Sequence, residues 1–367
     1  MQLRPAFSLL VPALLYWALI ALSTGPVFAQ ETENAGAPPA QAHIAVILPL
    51  QSASFGKHAD SVRLGILAAA GLMQGNGLGV TVYATTEDTD QILTAYQRAV
   101  SRGARAVIGP LTRNGVTALA LSGVVSVPTL ALNIPDGDIL MPRDLYAFGL
   151  QIESEARQVA QLAFSHGGRR AFVVAGETSL DSRIAQAFLG EWSRLKGEVA
   201  GKFSYTTEPS ALAKLRSQLP ASKADAVFLT MGATRVRFIR SFLGGSLPIY
   251  ATSLVFVSNA DTLAIFDLEG VRFLDMPWLL QPDHPAVMSY LRPDAQSSAL
   301  DQERFYALGI DAYRIVQELL RPYEPMVSLD GVTGTITPTD TQQFTRSLVP
   351  AQFSQGRAKP LEAPLMR

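Results

Sequence analysis

Short apolar segments alternate with helical patterns along this chain from His43 onward. The first apolar segment, residues 43–48, is rich in β-branched side chains and ends at Pro49, so it predicts a buried strand. In the next segment Val62, Ile66 and Ala69 recur at helical spacing. The unit then repeats about every 30 residues. Such alternation predicts an α/β fold in which helices cover both faces of parallel sheets.

The alternation runs twice, and it restarts after Ile152. Two runs predict two doubly wound, Rossmann-like lobes. No Pro/Ser-rich linker separates them, so we expect three crossing segments. Two of these are the strands 145–149 and 271–275. The third is the final segment of the chain, which would return from one lobe to the other beside these two strands. The expected boundaries are residues 43–149 plus 277–337 for lobe 1, and residues 150–276 plus 338–367 for lobe 2.

The N-terminus has the pattern of a secretory signal peptide. An apolar run at residues 7–22 is followed by small residues, with Val27 and Ala29 placed as in an A-x-A-like cleavage site. An uncleaved membrane anchor is the alternative, but the run is shorter than the ~20 residues that span a bilayer and Pro12 interrupts it. We therefore predict residues 1–29 as a signal peptide and residues 30–42 as a flexible tether. In a Gram-negative source the mature chain is expected in the periplasm, without stable membrane insertion.

Composition excludes several classes of site. Cysteine is absent, which rules out disulfides, thiolate metal sites, a catalytic cysteine and a lipid attached to cysteine. The four histidines are not at metal-binding spacing, so we expect no metal and no cofactor. The chain has 30 basic and 31 acidic residues, a balance that argues against nucleic acid as a partner.

No sequence pattern indicates catalysis. The chain has neither a nucleophile elbow nor a phosphate-binding loop. The acidic residues Glu87, Asp88 and Asp90 follow a predicted strand, where carboxylates cap the next helix more often than they bind a cation. We therefore expect a protein that is not an enzyme.

The loops after the predicted strands are rich in Ser, Thr, Gly and Asn. In open parallel sheets, ligands bind at this edge, and free N–H groups at helix N-termini suit an anion such as a carboxylate. The alternative is that tight turns simply require small polar residues. The residues that we expect to line a cleft between the lobes are Ser52, Ser54, Thr112, Asn133, Glu177, Ser179, Thr234, Thr252 and Ser253.

Several motifs carry a resemblance to a known superfamily. Residues 44–50 (IAVILPL), residues 109–111 (GPL), the two crossing strands and the turn at residues 331–335 resemble type I periplasmic binding proteins. That superfamily includes the branched-chain amino-acid receptors of ABC transporters. The resemblance covers residues 43–367 and implies two lobes that enclose a ligand cleft.

A closer resemblance exists within that superfamily. The motifs LALN, DMPWL, RFYALGIDAY, GVTGTI and RSLVPAQFSQG are similar to the C-terminal domain of the penicillin-binding protein activators. This likeness implies a periplasmic, non-catalytic protein that stimulates a class A penicillin-binding protein by direct contact. The best-known members of the family are outer-membrane lipoproteins with a large helical-repeat domain ahead of this one. This sequence has no cysteine to carry a lipid, and the predicted tether, residues 30–42, takes the position of the helical-repeat domain.

The alternative function is a periplasmic solute-binding receptor of an ABC transporter. In the amino-acid receptors, the end of the fourth strand carries a small residue and a hydroxyl that hold the ligand carboxylate, whereas Leu132 and Asn133 stand there in this chain. Residues 231–237 also offer no acid for a ligand ammonium, and Glu177 is the acid in these loops best placed to substitute. Ordinary amino-acid capture is therefore disfavoured, and another small molecule remains possible as the ligand.

Overall fold

The alternation of strands and helices extends through the described part of the chain. The computed structural model describes residues 41–73, 78–257, 265–293, 299–321 and 327–361. The predicted signal peptide and all but the last two residues of the predicted tether lie outside these ranges. The helices are α1 (Gly56–Leu72), α2 (Thr89–Ser101), α3 (Arg113–Leu121), α4 (Ile152–Ser165), α5 (Ser179–Arg194), α6 (Pro209–Ala221), α7 (Ala233–Leu243), α8 (Pro277–Leu280), α9 (Pro285–Met288) and α10 (Leu300–Leu319).

The strands form two large sheets and one small sheet. They are β1 (His43–Leu48), β2 (Gly79–Ala84), β3 (Ala104–Ile108), β4 (Thr129–Ala131), β5 (Leu145–Ala147), β6 (Arg170–Ala175), β7 (Glu198–Ser204), β8 (Ala226–Leu229), β9 (Ile249–Ala251), β10 (Val271–Asp275), β11 (Leu329–Gly331), β12 (Gly334–Pro338), β13 (Phe344–Ser347), β14 (Val349–Ser354) and β15 (Arg357–Pro360).

The first sheet is wholly parallel and has the order β2-β1-β3-β4-β5. Alternate residues of the central strand β1 serve opposite faces, because side chains alternate along a strand. Ile44, Val46 and Leu48 pack in the core formed with α1 and α10, whereas Ala45 and Ile47 pack in the core formed with α2 and α3. This arrangement confirms the doubly wound lobe predicted from the sequence.

The second sheet has the order β15-β14-β10-β9-β8-β6-β7. Its strands β6 to β10 pair in parallel, with α4 and α5 on one face and α6 and α7 on the other. The predicted crossing strand at residues 271–275 is β10. On its other side, β14 and β15 add antiparallel strands, so the second sheet is mixed rather than purely parallel as the sequence pattern indicated.

The small third sheet, β11-β12-β13, follows α10 in the chain and precedes the last two strands of the second sheet. The predicted turn at residues 331–335 is the tip of its first hairpin, in which Gly331 pairs with Gly334. Residues between β12 and β13 lie against β5, where Ala147 pairs with Gln343 and donates its N–H to the Gln342 carbonyl at 2.9 Å. The described residues include no helix long and apolar enough to cross a membrane. The lobe boundaries given above stay a prediction.

Helices α1 and α10 approach each other closely over the first sheet. A Cβ atom at Gly65 would overlap the Tyr306 carbonyl oxygen, and a Cβ atom at Gly309 would overlap the Val62 carbonyl oxygen. A larger residue at either glycine would therefore force the two backbones apart. This contact brings the long helix of the C-terminal segment onto the first sheet.

Candidate functional site

A cavity of about 350 Å³ lies at the carboxyl ends of the strands of the first sheet. Arg183 reaches it from α5, so a helix that covers the second sheet also contributes to its wall. This is the edge at which open parallel sheets bind ligands. The residues that line it are Phe55, Glu87, Leu111, Thr112, Arg113, Asn114, Asn133 and Arg183.

Two of the predicted cleft residues, Ser52 and Ser54, donate hydrogen bonds to Glu87, the acidic residue in the cavity wall. The hydroxyl of Ser54 donates to Glu87 Oε1 at 2.6 Å, and the hydroxyl of Ser52 donates to the same oxygen. Both hydrogen bonds lower the pKa of Glu87, and the bond from Ser52 has the larger effect. The cavity wall therefore contains a carboxylate at Glu87 beside the guanidinium group of Arg113.

Two further predicted residues lie in the cavity wall, and their polar groups are used locally. The Thr112 hydroxyl caps α3 by accepting from the Gly115 N–H at 3.3 Å. The Asn133 side-chain amide donates to the Leu111 carbonyl at 3.2 Å, and its oxygen accepts from the backbone N–H of Ile134. They shape the wall, and the Asn133 amide retains one further N–H for a ligand.

Ion pairs bridge the two lobes beside the cavity. Glu153, in the first turn of α4, accepts from Arg113 at 3.2 Å and pairs with Arg183 at 3.1 Å. Arg113 begins α3 in the first lobe and also lies 3.7 Å from Asp136. One carboxylate thus links a cation from each lobe.

The predicted residues at the start of α5 and α7 lie elsewhere. Glu177, Ser179 and Thr234 are exposed and do not line the cavity. In the first turn of α5, Asp181 is buried, and Arg235 donates to both of its carboxylate oxygens, at 2.8 and 3.1 Å. This buried carboxylate therefore has a partner within the protein.

The last two predicted residues, Thr252 and Ser253, are buried and do not line the cavity. Ser253 donates its N–H and its hydroxyl to the buried carboxylate of Glu155. The pKa of Glu155 is raised to about 7. Burial is the largest cause, and the negative charge of Asp275 is the second. The Thr252 hydroxyl has no hydrogen-bond partner among the described residues.

A buried arginine joins the same region to the C-terminal segment. Arg304 of α10 donates to Asp275 Oδ2 at 2.6 Å and to the carbonyls of Phe256 at 2.8 Å and Ser253 at 3.3 Å. Because α10 packs on the first sheet and Asp275 ends β10 of the second, this arginine links the two sheets.

Sequence reasoning missed the charged residues that dominate this site. Arg113 begins α3 and Arg183 lies in α5, next to the loops whose hydroxyl, amide and carboxylate side chains were predicted to line the cleft. Their shared partner Glu153 has no local signal, because the contact joins positions far apart in sequence. Among the described residues, no cluster of His, Asp and Glu suits a metal ion.

Two α/β lobes with a polar cavity between them define the class of type I periplasmic binding proteins. Within that class, the chain belongs to the LppC lipoprotein family, whose model matches residues 38–216 and 206–356. The penicillin-binding protein activator LpoA of Vibrio antiquarius is 27% identical over 333 residues, which is 80% of this chain and 54% of that protein. The chain therefore spans about half the length of the curated relatives that it matches.

Solved structures show the same fold. A protein from Chromobacterium violaceum, provisionally described as a branched-chain amino-acid ABC transporter, is 36% identical with a TM-score of 0.72, over 85% of this chain and all of that one. The C-domain of LpoA from Haemophilus influenzae, described as a regulator of PBP1A, is 22% identical with a TM-score of 0.72, over 87% of this chain and all of that one.

Proposed function

We propose that this protein is a non-catalytic periplasmic regulator that activates a class A penicillin-binding protein by direct contact. The observation that carries the proposal is the alignment of 80% of the chain with relatives named penicillin-binding protein activators. The aligned length corresponds to a two-lobed body, so the regulating contact would be made by the surface of these lobes.

The carboxylates in the cavity wall and in the neighbouring helices support a surface role. Glu87 accepts from two serines, Glu153 pairs with two arginines and Asp181 pairs with Arg235. These carboxylates are thus engaged within the protein rather than presented unpaired to a ligand. Of these contacts, the Glu153 ion pairs join α3 to α4 and α5 and so favour one arrangement of the lobes, which suits a protein that works through a fixed surface.

A binding measurement tests the proposal. We would immobilise the class A penicillin-binding protein of the same organism and measure binding of the purified protein by surface interferometry. We expect a micromolar or tighter dissociation constant, and no binding to a monofunctional class B enzyme that serves as the matched control. The proposal is wrong for this protein if no binding occurs at hundreds of micromolar.

A second function is favoured by one specific feature, the cavity itself. Its volume of about 350 Å³ lies within the range of small-molecule pockets, and its wall contains the guanidinium groups of Arg113 and Arg183 together with the Glu87 carboxylate. A solute receptor would use these groups to bind a small polar molecule between the lobes. A screen of small metabolites by thermal shift separates the two functions, because a ligand at a hundredfold excess over its dissociation constant stabilises the folded state by about 2.7 kcal/mol.

A further inference from the structure

Three of the four edges of the two large sheets are protected against pairing with another strand. Strand β7 carries Glu198 and Lys202 and pairs irregularly with β6. Strand β15 contains Lys359 and Pro360, and β5 is bridged to Gln343. Charges, prolines, irregular pairing and covering segments all prevent edge-to-edge association.

Within the described residues, the fourth edge, β2, has none of these protections. Its sequence, GVTVYA, contains no charge and no proline. The Thr85 N–H donates to the Leu48 carbonyl of β1 at 3.0 Å. Because peptide groups alternate in direction along a strand, those of Val80, Val82 and Ala84 point to the outer edge. No described strand pairs with them there.

The surroundings of this edge are also open. A groove of about 520 Å³ runs along β2 on the side of α2. On the opposite face α1 packs over β1 and β2, and its outer side exposes 44% of Leu64, 38% of Leu67 and 60% of Leu72. Three exposed leucines on one helix form an apolar area that a partner could cover.

The charges along the groove are arranged with opposite signs at its two ends. Helix α2 follows β2 and runs back to β3, so Asp90 lies near the end of β2, whereas Arg98 and Arg102 lie near its start. All three side chains are exposed, and none belongs to an ion pair within the described residues. Such a groove is complementary to a reversed copy of itself.

We propose that β2 is a self-association surface, at which two copies of this chain pair β2 against β2 in antiparallel orientation around a two-fold axis. The axis passes beside Val82, which then faces its own copy, while Val80 faces the partner's Ala84. These pairs exchange about six backbone hydrogen bonds and join the two sheets into one. Antiparallel pairing sets Arg98 and Arg102 opposite the partner's Asp90, whereas parallel pairing would bring like charges together. The inference does not depend on the regulatory function proposed above.

Single cysteines test the register, because the chain contains none of its own. In the proposed pairing the two Cα atoms at position 82 lie about 5.5 Å apart, a separation that a disulfide can bridge. We expect V82C to form a cross-linked dimer under mild oxidation. The two copies of position 80 would be separated by roughly 13 Å, so V80C alone should not cross-link, whereas V80C/A84C should. Cross-linking of V80C as readily as V82C would contradict the proposal.

Sedimentation velocity of the full protein tests the association itself. We expect a monomer–dimer equilibrium in which V82P weakens dimerisation by at least about tenfold, because proline removes an outward N–H and its central hydrogen bond. Proline is tolerated at such an edge position. The matched control is K202P. The Lys202 N–H points outward from the edge strand β7, since Tyr205, directly after that strand, donates its N–H inward to the Ala175 carbonyl of β6. K202P should leave the dimer intact.

Charge reversal tests the orientation. D90R should weaken the dimer, and D90R/R98D/R102D should restore it, because the opposite charges meet again. The proposal is overturned if the protein sediments as a monomer at hundreds of micromolar, which would leave the edge to a strand from another protein. It is equally overturned if a dimer forms that V82P does not weaken.

Discussion

The buried carboxylate of Glu155 should make the protein less stable as the pH rises from 5 to 8. Burial, with Asp275 second, raises the pKa of Glu155 from 4.5 to about 7. The folded state therefore holds this proton more tightly than the unfolded chain does. The stabilisation is fully present below pH 4.5, is lost as the pH rises to about 7, and changes no further above that. At 1.36 kcal/mol per pKa unit, the difference in the free energy of unfolding is about 3 kcal/mol.

The variant E155Q isolates this effect, because a glutamine side chain accepts the same hydrogen bond from the Ser253 N–H without titrating. Urea unfolding of both proteins at pH 5 and pH 8 gives the difference in the free energy of unfolding. The original protein should lose about 2–3 kcal/mol more than E155Q between these pH values, because at pH 5 part of the stabilisation is already lost. The exposed Glu177 supplies the control, since E177Q should show the same pH dependence as the original protein. The reasoning would be refuted if the two proteins lost the same free energy of unfolding between pH 5 and pH 8, or if the original protein gained more stability than E155Q as the pH rose.

Three further substitutions test the packing and the ion pairs. G65A should destabilise the protein by roughly 1–3 kcal/mol in urea unfolding, because its Cβ overlaps the backbone of Tyr306. R304M should cost about 3–5 kcal/mol by the same measurement, because it leaves the buried Asp275 carboxylate without its cation. E153Q should lower the melting temperature at low salt by an amount corresponding to less than about 1 kcal/mol, and the effect should shrink in 1 M salt, because its ion pairs are partly exposed.

Matched controls distinguish these effects from general damage. Gly190 lies in a helix with no atom within 4 Å of an added Cβ, so G190A should stabilise the protein by up to about 1 kcal/mol. The carboxylate of Asp301, which also pairs with Arg304, is 65% exposed, so D301N should change stability far less than R304M. Equal effects of G65A and G190A, or of R304M and D301N, would contradict the packing argument. An E153Q effect that persists in 1 M salt would contradict the account of the interlobe bridge.

Much of the fold was predictable because it follows from local patterns. The β-branched run at residues 43–48 and the strand at residues 271–275 lie at the predicted positions. Asp88, one of the acidic residues predicted to cap the next helix, caps α2 by accepting from the Gln91 N–H. These features depend on hydrophobic periodicity and capping chemistry, which operate over a few residues.

The parts that could not be predicted depend on contacts between distant segments. The antiparallel pairing of β14 with β10 joins residues near 350 to residues near 273, and no local pattern specifies that register. The site illustrates the same limit. Thr112 and Asn133 line the cavity, but the loop containing Glu177 does not, because strand-end position alone does not determine which loops meet. The bridge of Glu153 to Arg113 and Arg183 appears only when three helices come together.

The most direct test of the regulatory account is the rate of peptide cross-linking by a purified class A penicillin-binding protein. The rate would be measured on its lipid-linked substrate at increasing concentrations of this protein. The account predicts a rate that rises and then saturates at the concentration where binding saturates. An unchanged rate with the enzyme fully bound would contradict the central claim, and the protein would then be a ligand of the enzyme without being its activator.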